Sequence, residues 1–146
     1  MVYVASGNDR YKRDLWRYET KLIDEKELKE RSLYKRIVKF EEDKLYLDDG
    51  TIVSVEETDS DCCACAFGEF KNVKLEALIT DVKVGEYKDN GEDADEEYSN
   101  ENTVTIYSNQ NPVAQAECYA DAGNGGFYFS ICSLVIGDAY FPVVEA

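Results

Sequence analysis

The chain has 146 residues, with 31 acidic side chains against 16 basic ones and no histidine, for a formal net charge of −15. Without histidine there is no Ser-His-Asp or Cys-His nucleophile pair and no imidazole metal ligand. With so large an acidic excess, a phosphate backbone meets repulsion instead of the Lys and Arg that displace its counterions.

The length predicts one folded unit with a real hydrophobic core. No apolar run reaches the roughly 18 residues of a membrane span, and the first residues lack the apolar centre of a signal peptide. The expectation is a cytoplasmic protein whose five cysteines are reduced thiols. Charge is unevenly placed. Residues 1–47 hold 12 Lys+Arg and 10 Asp+Glu, a net of +2, whereas residues 48–146 hold 4 Lys and 21 acids, a net of −17. These predict two parts, a helical segment at 1–35 and an acidic antiparallel β domain at 36–146.

From Asp9 to Lys35 the composition favours helix, rich in Lys, Glu, Arg and Leu and free of Pro. Leu15, Tyr18 and Leu22 recur at helical spacing, with Trp16 and Ile23 beside them. Asp24 and Glu27 have the spacing of a capping box, so a helix start is predicted there. Residues 36–40 and 44–48 then alternate, and Asp49-Gly50 offers a tight reversal into 51–57, which predicts a three-stranded meander. Residues 61–67 (DCCACAF) and 79–84 (ITDVKV) read as strands, and 69–78 is ambiguous.

Residues 86–101 carry eight acids and only Lys88, without apolar periodicity, and are predicted to form a long surface loop. Residues 103–108 (TVTIYS) are β-branched and predicted to pair. At 112–122, Ala114, Ala116, Cys118, Ala120 and Ala122 share one face, while Val113, Gln115, Glu117, Tyr119 and Asp121 share the other. The GNGG at 123–126 and the apolar 127–136 predict a closing β-hairpin in which Cys118 faces Cys132. The alanine row lets something pack close, either the helical segment or a second sheet. The fold class predicted is α+β, a helical segment on a twisted antiparallel sheet or partial barrel.

The segments "YLDDGTIVSVEETDSDCC", "ALITDVKV", "TVTIYS" and "AGNGGFYFSICSLVI", in that order, resemble a family of small proteins encoded mainly by tailed bacteriophages and prophages. The resemblance covers about two-thirds of the chain and leaves out its first 35 residues. It implies a phage origin and an accessory role, and it carries no catalytic residue with it.

Cys62, Cys63 and Cys65 are the only cluster of soft ligands, but they lack C-x-x-C spacing, and strand alternation would turn Cys62 away from the other two. They read as small buried side chains, with no metal and no cofactor expected. The acidic stretch departs from a calcium loop, since "DNGEDADEEYSN" has Gly third and no Glu at its twelfth position. Carboxylates on a rigid scaffold can instead imitate phosphates and enter a groove lined by Lys and Arg. With the phage resemblance, the functional expectation is a non-catalytic inhibitor of a host antiviral nuclease, of anti-CRISPR type. Its partner would be a host protein with a basic nucleic-acid-binding groove, a Cas effector being the candidate, with no direct contact to nucleic acid or membrane. Expected contacts are Asp89, Glu92, Asp93, Asp95, Glu96, Glu97 and Glu101, with Arg13, Trp16 and Arg17 as a second anchor. The alternatives are a virion assembly or accessory protein, and a sponge for a small signalling nucleotide.

Overall fold

A computed structural model describes residues 21–61, 63–86, 88–92 and 97–146. These form strands β1 (Lys21–Leu22), β2 (Ile37–Glu41), β3 (Lys44–Leu47), β4 (Ile52–Ser60), β5 (Ala66–Lys71), β6 (Asp81–Val84), β7 (Lys88–Glu92), β8 (Glu97–Ser108), β9 (Asn111–Asn124), β10 (Ser130–Ile136) and β11 (Ala139–Glu145), with one helix, α1 (Glu25–Ser32). The strands make two sheets. One has the order β1-β11-β10-β4-β3-β2; the other has the order β5-β9-β8-β6, with β7 added against β8. Neighbours run antiparallel except β1 and β11.

The meander forms as its alternation predicts. Leu45 pairs with Val53 and Ile37 with Leu47, and all four are buried, so one face of β2, β3 and β4 turns into the core. The Asp49-Gly50 reversal is closed by the Gly50 N–H donating to the Leu47 carbonyl and the Leu47 N–H to Thr51. Asp24 caps α1, its carboxylate accepting the Glu27 N–H at 2.9 Å. Glu27 does not reach back to complete the capping box; it pairs with Arg31 and Lys21 instead.

The α+β expectation is overturned, because the described residues are mostly strand, in two sheets, with a single eight-residue helix. Leu22, expected on a helical face, lies in β1, and residues 1–20 are outside the described residues. Leu28 and Ile23 join the same core as the strands. Helix composition alone does not fix a helix, since a short segment takes the conformation its packing rewards. Among the described residues no helix is long and apolar enough to cross a membrane.

Two further expectations change. Residues 112–136 are not a hydrogen-bonded hairpin: β9 pairs with β5 and β8, whereas β10 pairs with β4 and β11. The glycines of 123–126 carry the chain from one sheet to the other, and the alanine row lines the space between them. Ala114, Ala116 and Ala120 are fully buried in one core with Leu134, Ile136 and Val143, so it is a second sheet that the small residues admit. Within the acidic stretch, residues 88–92 and 97–101 are strand where a loop was expected. Their backbone forms β7 and the start of β8, with Lys88 opposite Glu101 and Asp89 opposite Asn100. Asp61 and residues 63–65 are not strand; Cys63 sits in a turn, and β5 begins only at Ala66.

Candidate functional site: a carboxylate-lined groove

The outer face of the second sheet follows from strand alternation. In β5, Ala66 and Phe70 point into the core, so Phe67, Glu69 and Lys71 point out. In β9 the same logic turns Gln115, Glu117 and Tyr119 outward. In β8 it exposes Glu101, Thr103 and Thr105, because Asn102, Val104 and Ile106 are buried. The register then sets neighbours: Phe67 beside Tyr119 beside Glu101, and Glu69 beside Glu117 beside Thr103.

These side chains line a groove of about 820 Å³. Its wall is completed by Glu42 from the β2–β3 turn and by Gly85 and Glu86 after β6. Backbone bonds hold both additions. The Phe70 N–H donates to the Glu42 carbonyl at 2.7 Å, and the Gly85 N–H to Thr103 at 2.6 Å. Gly68 forms part of the floor because nothing larger fits there. A Cβ on it would lie 2.6 Å from the Val55 side chain and closer still to the Glu117 carbonyl.

Among the described residues, the groove is lined by five glutamates (Glu42, Glu69, Glu86, Glu101, Glu117) and by no Lys or Arg. Glu69 and Glu117 stand directly opposite one another on adjacent strands, a like-charge arrangement that disfavours the sheet. Lys71 relieves it from beside the groove, 3.0 Å from Glu117 and 3.4 Å from Glu69, and hydrogen bonding to Glu117 and then to Glu69 raises its pKa. The groove also contains an aromatic pair. Phe67 and Tyr119 have ring centroids 4.8 Å apart, and Phe67 is 60% exposed. An exposed aromatic ring ringed by carboxylates suits a cationic group, which the ring quadrupole and the charges attract together.

Of the acids expected to bind a partner, Glu101 lines this groove. Asp89, Glu92 and Glu97 lie on β7 and β8, on the backbone ladder that continues from Glu101. Asp93, Asp95 and Glu96 are outside the described residues, as are Arg13, Trp16 and Arg17. Sequence reasoning missed Glu42, Glu69, Glu86 and Glu117 as a set. The outward register of Glu117 and Tyr119 was visible in the alternation of β9, but nothing in the sequence placed β5 next to it.

The cysteines divide into two kinds. Cys63 and Cys65 are exposed, not buried as expected; Cys118 and Cys132 are buried. Cys65 is tied to Asp121, whose carboxylate accepts its N–H at 3.0 Å and its thiol at 3.1 Å. Ser130, fully buried, accepts the Asp121 N–H and shares its one hydroxyl proton between the Cys65 and Asp121 carbonyls, fastening the start of β5 to β9 and β10. Cys62 is outside the described residues. Among the described residues no three His, Cys, Asp or Glu side chains converge to hold a metal ion.

No curated protein and no solved structure matches the chain. A family described as "Domain of unknown function (DUF7448)" matches residues 30–135, from within α1 to within β10, and the whole groove lies inside that span. The chain belongs to the DUF7448 family of domains of unknown function.

Proposed function

We propose that this protein is a stoichiometric, non-catalytic inhibitor of a host antiviral nuclease, of anti-CRISPR type, acting through its carboxylate-lined face. The observation that carries the reading is the groove on the outer side of the second sheet, where five glutamates surround an exposed aromatic pair. A nuclease channel is lined by Lys and Arg so that it can hold phosphates. Carboxylates on a rigid β-scaffold meet those cations without a nucleic acid, and cationic side chains projecting from the channel wall enter the groove. The backbone ladder of β7 and β8 continues the sheet beyond Glu101. The resemblance to phage proteins supports a host-defence target. A sponge for an anionic nucleotide is disfavoured by the same geometry, because such a ligand needs Lys or Arg in its pocket.

The test is a cleavage assay across CRISPR effectors and other DNA-cleaving defence nucleases of the host. Inhibition is expected to saturate near one protein per effector, the complex should co-elute at low salt and separate as salt rises, and Glu69→Gln with Glu117→Gln should weaken it about tenfold or more, by analogy with truncating interfacial charges. Undiminished cleavage by every nuclease at excess protein would overturn the proposal.

A further inference from the structure

The two buried cysteines stand at the meeting of the sheets. Cys118 is near the middle of β9 and Cys132 is in β10, so they belong to different sheets, and each is at most 3% exposed. The Cys132 thiol spans the space between sheets, donating to the Phe67 carbonyl of β5 at 3.5 Å. Phe67 is adjacent to Gly68, and Gly68 is the register partner of Cys118. Cys132 therefore reaches the opposite sheet beside the backbone position that carries Cys118. The alanines on either side of Cys118, Ala116 and Ala120, are fully buried and let the two backbones approach closely there.

We propose that Cys118 and Cys132 are the two halves of an inter-sheet disulfide site, present here as thiols and closed by hydrogen peroxide. The thiols already interact. Hydrogen bonding to Cys132, followed by burial, pushes the Cys118 thiol far up. The Cys132 sulfur takes one peroxide oxygen to become a sulfenic acid as the O–O bond breaks, and the displaced hydroxide leaves with the thiol proton as a first water. The Cys118 sulfur then displaces the sulfenic oxygen as a second water leaves. In sum, two thiols and one hydrogen peroxide give one disulfide and two waters. Burial makes the reaction slow beside oxidation of the exposed Cys63 and Cys65, and it proceeds as fast as peroxide reaches the core. Its product fastens β9, which forms part of the groove floor, to the other sheet. The inference stands on the core alone and does not depend on the partner proposed above.

The sequence makes the test clean. Lys88 is the last Lys or Arg in the chain, so trypsin releases residues 89–146 as one peptide holding Cys118 and Cys132 and none of the other cysteines. The native protein is exposed to peroxide over a time course that outlasts oxidation of Cys63 and Cys65, then unfolded, alkylated and digested without reductant. The expected peptide has lost two hydrogens and carries no alkyl group, and dithiothreitol restores two alkylatable thiols. The oxidised protein should also melt several degrees higher, with the gain absent in Cys132→Ser. A 89–146 peptide that carries two alkyl groups, has gained oxygen, or is joined to another peptide would overturn the proposal.

Discussion

Around α1, charges of opposite sign meet one another; in the groove of the second sheet, charges of one sign are gathered. Lys29 reaches Asp81 on β6 at 2.7 Å, Arg31 reaches Asp138 in the β10–β11 turn at 2.8 Å, and Lys35 reaches Asp49 in the β3–β4 turn at 3.0 Å. Each pair joins the helical segment to a sheet or a turn. The groove instead has five lining glutamates, with Lys71 beside two of them. The acidic excess is thus not a uniform coat. Around α1 cations join elements to one another, whereas in the groove carboxylates are gathered without packing that requires them, as the partner surface proposed above would need.

The largest expected effect lies on the helical side. Leu28 is 1% exposed and anchors α1 in the core, so Leu28→Ala should cost about 2–5 kcal/mol, read as a lower urea midpoint. If the loss is below about 1 kcal/mol, the helix is held by its ion pairs and not by burial, and the contrast with the groove weakens. Next comes the groove floor. Gly68→Ala forces a methyl group against the Val55 side chain and the Glu117 carbonyl, which should cost about 1–3 kcal/mol through overpacking.

Surface charge changes should be smaller and should differ in sign. Lys71→Met removes the cation between Glu69 and Glu117 and should lower the melting temperature, with salt recovering part of the loss. Glu69→Gln removes one of the facing carboxylates while leaving Lys71 with Glu117, so the melting temperature should hold or rise even as partner binding weakens. A clear loss of stability in Glu69→Gln would show that the groove acids serve the fold, and the comparison between the two regions would collapse.

Much of the first sheet was legible because its pairings are local. The β2–β3–β4 meander has alternating residues and an Asp-Gly reversal, and local pairing needs no information from distant sequence. The second sheet was harder for a physical reason. A period of two tells which face a residue occupies but not which strand lies beside it. The faces of Ala116, Glu117, Cys118 and Tyr119 were therefore correct, while the hairpin was wrong: Cys118 pairs with Gly68 and Asn102, and Cys132 with Glu57 and Val144, so the two are not register partners. The groove was illegible for the same reason, since Glu42, Glu69, Glu86, Glu101 and Glu117 come from separate segments that only the fold brings together. The strand content of residues 88–92 and 97–101 was missed because a polar ladder at a sheet edge has no apolar alternation to read.

The smallest effect tests the helical side by pH. Asp49 accepts hydrogen bonds from Thr51, from its side chain first and its backbone N–H next, and it lies 3.0 Å from Lys35; these hold its pKa down, from the usual 3.8 to about 2. A carboxyl with a depressed folded pKa favours the native state at pH values above its unfolded pKa, and that contribution disappears as pH falls from 3.8 through about 2. Asp49→Asn keeps an acceptor for the Thr51 N–H and removes only the charge. Wild type should therefore melt higher than Asp49→Asn near neutral pH, with the gap closing as pH approaches about 2. General relief of acidic repulsion shifts both proteins together, so the difference isolates this one carboxylate. A gap that stays constant down to that pH would mean that the Lys35–Asp49 pair adds nothing to the folded state, and that placement of cations beside α1 reflects proximity without energetic consequence.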